Sequence, residues 1–233
     1  MNLELFIARR IAHNGSGNRP GVMVRIAVVA VALSVTVMIL ALAVIMGFKR
    51  EITDRVTGFS AQVEGADLRS AGSIESVPVL RSEQLERTIR SAGEVVRLAP
   101  YAVKGGVVKT PDAILGVMLK GVDGGYEWSF FRDHLLEGEL PRVGDSIRTK
   151  EILISRSVAR EMGLAPGDKV EMLFVESEKS PRRDRFKVAG IYSSGMDEMD
   201  NTVILTDLRN VQRLSDWAPD EISGYEVFTD DLA

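Results

Sequence analysis

Between Ile26 and Phe48 the chain carries no charged residue. Those 23 positions are almost entirely aliphatic, with Ser34 and Thr36 the only hydroxyls. At ~1.5 Å per residue the run is about 34 Å long as a helix, against a bilayer hydrocarbon core of about 30 Å. A buried helix of a soluble domain rarely needs so long an apolar stretch, so the spacing predicts a membrane span. Each hydroxyl can donate to the carbonyl one turn earlier, which removes its cost in lipid. A cleaved signal is the rival reading, since Ala41-Leu-Ala43 has small residues at a cleavage spacing. A signal's apolar core is about 7–15 residues, and this run continues past that site, which favours an uncleaved anchor.

Charge sets the expected orientation. Residues 1–25 hold Arg9, Arg10, Arg19 and Arg25 against Glu4, whereas Lys49, Arg50 and Arg55 beyond the span are mixed with Glu51 and Asp54. The positive side is expected inside, which puts the N-terminus in the cytoplasm and the rest of the chain outside. The whole chain has 29 Lys and Arg against 33 Asp and Glu, a balance that argues against a nucleic-acid partner. Cysteine is absent, which excludes thiol nucleophiles, thiolate metal sites and disulfides.

Three regions follow. Residues 1–21 form a cytoplasmic leader, in which Leu3, Phe6, Ile7 and Ile11 suit an amphipathic helix at the membrane surface, followed by a Gly/Asn hinge. Residues 22–59 are the span and its continuation, because Phe48, Ile52, Val56 and Phe59 keep an apolar stripe at helical spacing. This predicts a stalk beyond the bilayer. Residues 60–233 form an outer domain of mixed strand and helix signals, an α+β fold.

In that domain Gln62 to Leu68, Val95 to Lys109, Ile114 to Val122, Glu151 to Ile154, Arg185 to Tyr192, Thr202 to Leu205 and Ile222 to Phe228 read as strands. Val170, Met172 and Phe174 alternate on another, giving a hairpin across Lys179 to Asp184. Ser82 is expected to cap a helix with Leu85 and Ile89 inward. Ser155 caps one closed by Gly163, and Thr206 one with Leu208, Val211 and Leu214 inward.

Catalytic patterns are missing. Gly163-Leu-Ala-Pro-Gly-Asp-Lys169 has the wrong spacing for a phosphate loop, so this chain is not expected to hydrolyse ATP. No G-x-S-x-G elbow occurs, and His13 and His134 fall on opposite sides of the membrane. Asp197-Glu-Met-Asp200 lacks the ligand count of a calcium loop and reads as a solvated turn. Arg182, Arg183 and Arg185 are expected at the hairpin tip, solvated or meeting an acidic partner or lipid phosphate.

Five strings, in order, resemble the lipoprotein-releasing ABC transporter permeases of the FtsX/MacB-type superfamily. They are Val44-Ile-Met-Gly-Phe-Lys-Arg-Glu51, Leu119-Lys-Gly-Val-Asp123, Leu136-Glu-Gly-Glu-Leu-Pro141, Ile152 through Asp168, and Phe186-Lys-Val-Ala-Gly-Ile-Tyr-Ser-Ser-Gly195 with Glu198, Asp200 and Leu208 to Leu214. The resemblance implies an inner-membrane permease subunit with four membrane helices, its periplasmic domain lying between the first two. This chain would be its N-terminal part, with the later helices beyond Ala233. It further implies a non-catalytic subunit that binds no cofactor, ATP and magnesium being used by a separate ABC ATPase. Partners would be that ATPase, a second permease copy or paralogue, the lipoprotein substrate, a periplasmic carrier and membrane lipid. The family's carrier-binding hairpin is long, and the matching stretch here, Glu176 to Arg185, is short.

If acyl chains pass along the span, helical spacing selects the face bearing Met38, Leu42, Ile45, Phe48 and Ile52. Ordinary lipid or helix contact explains the same face equally well. Two other function classes compete: a sibling exporter of small molecules or peptides, or regulator of cell-wall hydrolases, and a single-span ligand sensor.

Overall fold

The computed structural model describes residues 3, 6, 7, 22–59, 61, 63–70, 76–92, 95–111, 113–144, 147–175, 180–195 and 200–229, with backbone alone for 50–59. The chain divides into two compact units, Met1–Asp54 and Arg55–Ala233. One uninterrupted helix, α1 (Val22–Phe59), begins just before the uncharged run and continues past it. Ser34 Oγ donates to Ala30 O at 2.9 Å and Thr36 Oγ1 to Ala32 O at 2.8 Å, so both hydroxyls are satisfied within the helix as their position predicts. Leu3, Phe6 and Ile7 are helical; the remainder of the expected leader helix and its hinge lie outside the described residues.

The outer unit is a mixed α+β fold. Strands β3 (Val95–Lys109) and β4 (Ile114–Val122) have the bounds expected, because β-branched runs meet Thr110-Pro111 between them. β6 (Glu151–Ser155) leads into α4 (Arg156–Met162). The Ser155 hydroxyl accepts from Val158 N, and Gly163 ends the helix in the left-handed region at φ 64°. β7 (Lys169–Phe174) and β8 (Arg182–Tyr192) form the expected hairpin. β9 (Val203–Asp207) runs into α5 (Leu208–Ser215).

These strands close on themselves. β3 pairs β4, β4 pairs β9 in parallel, β9 pairs β6, β6 pairs β8 in parallel, β8 pairs β7, and β7 pairs back onto β3. The length of β3 makes the closure possible. Its second half holds β7 through Val107 to Lys109, while its first half pairs along the same edge with β11 (Gly224–Thr229). Beyond β11 lies β1 (Val63–Ala66), and β5 (Leu135–Gly138) extends the sheet from the end of β8. A small separate sheet joins β2 (Val79–Leu80) to β10 (Glu221–Ile222).

Alternation along the strands sorts apolar side chains into two cores. Leu119, Ile152, Ile154 and Ile204 join Met172, Phe174, Phe186, Val188 and the inner faces of α4 and α5. Val122, Leu153, Leu205 and Tyr192 turn the other way, onto Tyr126 and Phe131. Phe131 sits on the short helix α3 (Ser129–Asp133), which the sequence reading missed, as it missed β2 and β5.

Several local expectations are corrected. Thr206 is not the cap of α5. It is buried in β9, where its Oγ1 donates to Glu151 O and accepts from Asn210 Nδ2, and Asp207 caps the helix through Arg209 N. The last strand is split at Ser223, whose N–H donates to Tyr101 O at 2.9 Å, so Ile222 and Tyr225 serve different sheets. On α2 (Glu83–Arg90), capped by Ser82 as expected, Ile89 packs on the core but Leu85 stays exposed. β1 is shorter than read, and Leu68 starts a 3-10 turn. Asp200 is no solvated turn: it is buried and accepts from the Ser194 hydroxyl at 2.7 Å and the Ser194 N–H. Asp197, Glu198 and Met199 lie outside the described residues.

Gly138 ends β5 at a point where a side chain has nowhere to go. Its φ is +77°, and a Cβ would stand 2.2 Å from Ala189 O and 3.0 Å from Pro166 Cβ. Gly138→Ala should lower the stability of the outer unit by about 3 kcal/mol, combining left-handed strain with a backbone clash. Both tryptophans, Trp128 and Trp217, pack against the cores of this unit, so denaturant titration followed by their fluorescence reads the loss. An unchanged midpoint would mean that β5 sits elsewhere.

Candidate membrane anchor and partner-contact surfaces

Every side chain described between Val22 and Lys49 is exposed, and this is the stretch of α1 long and apolar enough to cross a membrane. Met38, Leu42, Ile45 and Phe48 are all on that surface; Ile52 is helical, and its side chain lies outside the described residues. Exposure therefore does not separate the selected face from the rest of the span. One bilayer-facing helix with its polar groups satisfied internally can anchor, and any face of it can meet a second helix or an acyl chain.

The hairpin arginines belong to the ladder of β8 and not to its tip. Arg182 pairs with Phe174, Arg183 with Leu173 and Arg185 with Glu171. Arg182 caps α5: its Nη1 donates to Arg213 O at 3.2 Å and its Nη2 to Asp216 Oδ2 at 2.5 Å, where Asp216 ends the helix at φ 58°. A cation at a helix C-terminus is favoured by the dipole there. Arg183 and Arg185 flank Glu171 at 3.7 and 3.6 Å and stay mostly in solvent, so these pairs contribute little to stability and both guanidinium groups keep open surface.

Two charged groups that the sequence reading overlooked are buried. Lys120 Nζ donates to Glu226 Oε1 at 2.5 Å, with the two side chains 9% and 1% exposed. The pair bridges β4 and β11 across the intervening β3, since Glu226 stands opposite Ala99 and Lys120 opposite Val103. Glu226 Oε2 is buried with no hydrogen-bond partner among the described residues. Burial first, then Glu64 and Glu226, push the Tyr101 phenol up, so it stays neutral beside the pair. The signal was present in Leu119-Lys-Gly-Val: a lysine alternating with apolar residues in a buried strand needs an acid opposite.

His134 stacks on Phe130 at 4.3 Å and its Nδ1 meets Phe130 O at 2.8 Å, a packing role for the ring. No group of three or more His, Asp or Glu able to hold a metal occurs among the described residues. The recurring strings instead serve the fold. A Cβ at Gly121 would come 2.8 Å from Leu208 Cα, so the glycine lets α5 lie on β4. Asp168 accepts from Ala165 N at 2.8 Å and closes its turn.

Residues 26–231 match the MacB-like periplasmic core domain. The chain belongs to this family. Among curated relatives, this MacB-like chain is 22% identical over 247 residues to the lipoprotein-releasing system transmembrane protein LolE of Haemophilus influenzae, covering 99% of this chain and 56% of the relative. It is 25% identical over 182 residues to LolC of Xylella fastidiosa, covering 74% of this chain and 41% of the relative. The chain thus spans about half the length of the curated relatives it matches. Among solved structures it is similar to the periplasmic region of MacB from Actinobacillus actinomycetemcomitans (16% identity, TM-score 0.46, 73% of each chain). It is also similar to the extracellular domain of the noncanonic ABC-type transporter YknZ from Gram-positive bacteria (14% identity, TM-score 0.45, 70% of this chain and 78% of that one). With a candidate span and this domain in one polypeptide, it is a LolC/LolE-like chain of the FtsX/MacB permease type.

Proposed function

We propose that this chain is the N-terminal part of a permease subunit that lifts lipoproteins from the inner membrane toward the outer membrane, driven by a separate ABC ATPase. The observation that carries the reading is the union, in one match, of the membrane span with the outer domain, in a chain whose curated relatives are lipoprotein-releasing permeases. ATP and magnesium act on the ATPase, and this chain binds neither. The N-terminus lies in the cytoplasm and the outer unit in the periplasm. The subunit pairs with a second copy or a paralogue. A helix unbroken from Val22 to Phe59 supports mechanical coupling, because a rigid rod carries displacement without a hinge to absorb it. Acyl chains run along Met38, Leu42, Ile45, Phe48 and Ile52, and Arg183 and Arg185 offer open guanidinium surface to an acidic partner or a lipid phosphate.

The test reconstitutes the whole permease with its ATPase and a triacylated lipoprotein in vesicles. ATP should release lipoprotein to an added carrier, and photo-crosslinkers at Met38, Leu42 and Ile45 should capture it. Retention of lipoprotein with ATP-driven movement of another solute would instead establish the sibling exporter. Capture from the opposite helix face alone would reject the assigned path.

A further inference from the structure

β1 is the strand by which the chain first enters the sheet after α1. Three residues, 60–62, separate Phe59 at the end of α1 from Val63 at the start of β1. Fully extended they span about 11 Å, so little slack lies between helix and strand. β1 pairs with β11 through four residues: Val63 with Val227, Glu64 with Glu226, Gly65 with Tyr225 and Ala66 with Gly224. All four β1 residues are exposed, and none belongs to either apolar core. Burial therefore does little to hold the strand, and Gly65 within it adds no side chain to pack.

β11 is anchored by other means. It pairs with β3 from Val95 to Tyr101. Tyr225 is buried, and its hydroxyl donates to Glu86 Oε1 at 3.1 Å. Glu226 receives Lys120, and the Arg97 guanidinium lies 3.7 Å over the Phe228 ring. Gly224 is the seat for β1. A Cβ there would stand 2.2 Å from Gly65 O, 3.1 Å from Gly65 C and 3.2 Å from Ala66 Cα. The three nearest atoms all belong to β1, so a missing side chain on β11 is what lets this strand approach. β1 also lies outside the closed circuit of strands, and its departure breaks no pairing there.

We propose that β1 is a releasable strap, which leaves β11 when α1 is displaced and reseats against Gly224 when the load is removed. β11 and the strand circuit keep their pairing throughout. Local openings cost least where backbone hydrogen bonds are exposed and few apolar contacts are made, and β1 meets both conditions. Release during a working cycle rests on the permease reading above; release as a property of the chain does not.

Hydrogen exchange on the full 233-residue chain in a non-ionic detergent, followed across sub-denaturing urea, reads the strap directly. Amides of the β1–β11 ladder should exchange at least a hundredfold faster than those of β4 and with little dependence on urea, the mark of a local opening. Exchange at the rate and urea slope of β4 overturns the proposal. Gly224→Ala should expel the strand: exchange over 63–66 should rise about tenfold further, while β4 exchange and the Trp-fluorescence midpoint keep their parent values. Equal acceleration in β4, or none over 63–66, also overturns it. In the reconstituted permease, Val63→Cys with Val227→Cys sets the only two thiols of residues 1–233 across the ladder. Bridging them with a short reversible bis-thiosulfonate should slow ATP-driven release at least tenfold, dithiothreitol should restore it, and the parent treated alike should be unaffected. Undiminished release by the bridged pair, or failure of the bridge to form, overturns the strap. A parent that releases no lipoprotein refutes the permease reading alone, and the exchange measurements still decide the strap.

Discussion

Replacing Lys120 with Met should destabilise the outer unit by about 3–5 kcal/mol, the usual cost of leaving a buried charge without its partner. Glu226 is 1% exposed, and among the described residues its second oxygen has no hydrogen-bond partner, so Lys120 is the group that answers its charge. The double variant, Lys120→Met with Glu226→Leu, should recover most of the loss, because two apolar side chains of similar volume remove the desolvation penalty altogether. Urea titration read by Trp fluorescence separates these outcomes. A single variant as stable as the parent would show that the ammonium and carboxylate do not meet inside the sheet. A double variant as unstable as the single would show that packing at Lys120, not charge, is what matters.

Phe131→Ala should cost a similar amount, about 3–5 kcal/mol, through lost burial and the cavity left behind. Phe131 is fully buried, and its ring lies 5.1 Å from Tyr192, 5.3 Å from Phe130 and 5.8 Å from Trp128, at edge-to-face angles that aromatic pairs favour. This ring is the centre of the second core, the layer that covers β4, β9 and β6 opposite to α5. The expected signature is a lower denaturation midpoint together with altered near-ultraviolet dichroism from Trp128. Loss of stability without a change at Trp128 would place the ring outside that cluster.

Local chemistry explains which parts of the fold were legible. β3 and β4 are long, β-branched and cut by Thr110-Pro111, so their bounds follow from composition. Ser155 and Gly163 are a cap and a stop with a fixed geometric meaning, and α4 lies between them as expected. Val170, Met172 and Phe174 alternate because one side of β7 is buried. By contrast Tyr126 to Leu136 has aromatic residues in no period, so α3 and β5 left no trace. Asp207 displaced Thr206 as the cap because tertiary pairing with β6 prolonged β9. Lys120 meets an acid 106 positions away, a separation that no local pattern encodes. The membrane helix was evident because absence of charge over 23 residues is itself a solvent statement. The face of that helix that meets a substrate was not, because lipid, helix and acyl chain all present the same apolar chemistry.

The strand circuit through β3, β4, β9, β6, β8 and β7 has a mechanical meaning. An open ribbon under tension peels from its outermost strand, breaking one contact after another. A hoop offers no such starting point, and β3, gripped by β4 on one flank and by both β11 and β7 on the other, must shear against three neighbours together. Tugging at this body would swing or shift it as one stiff piece long before it frayed.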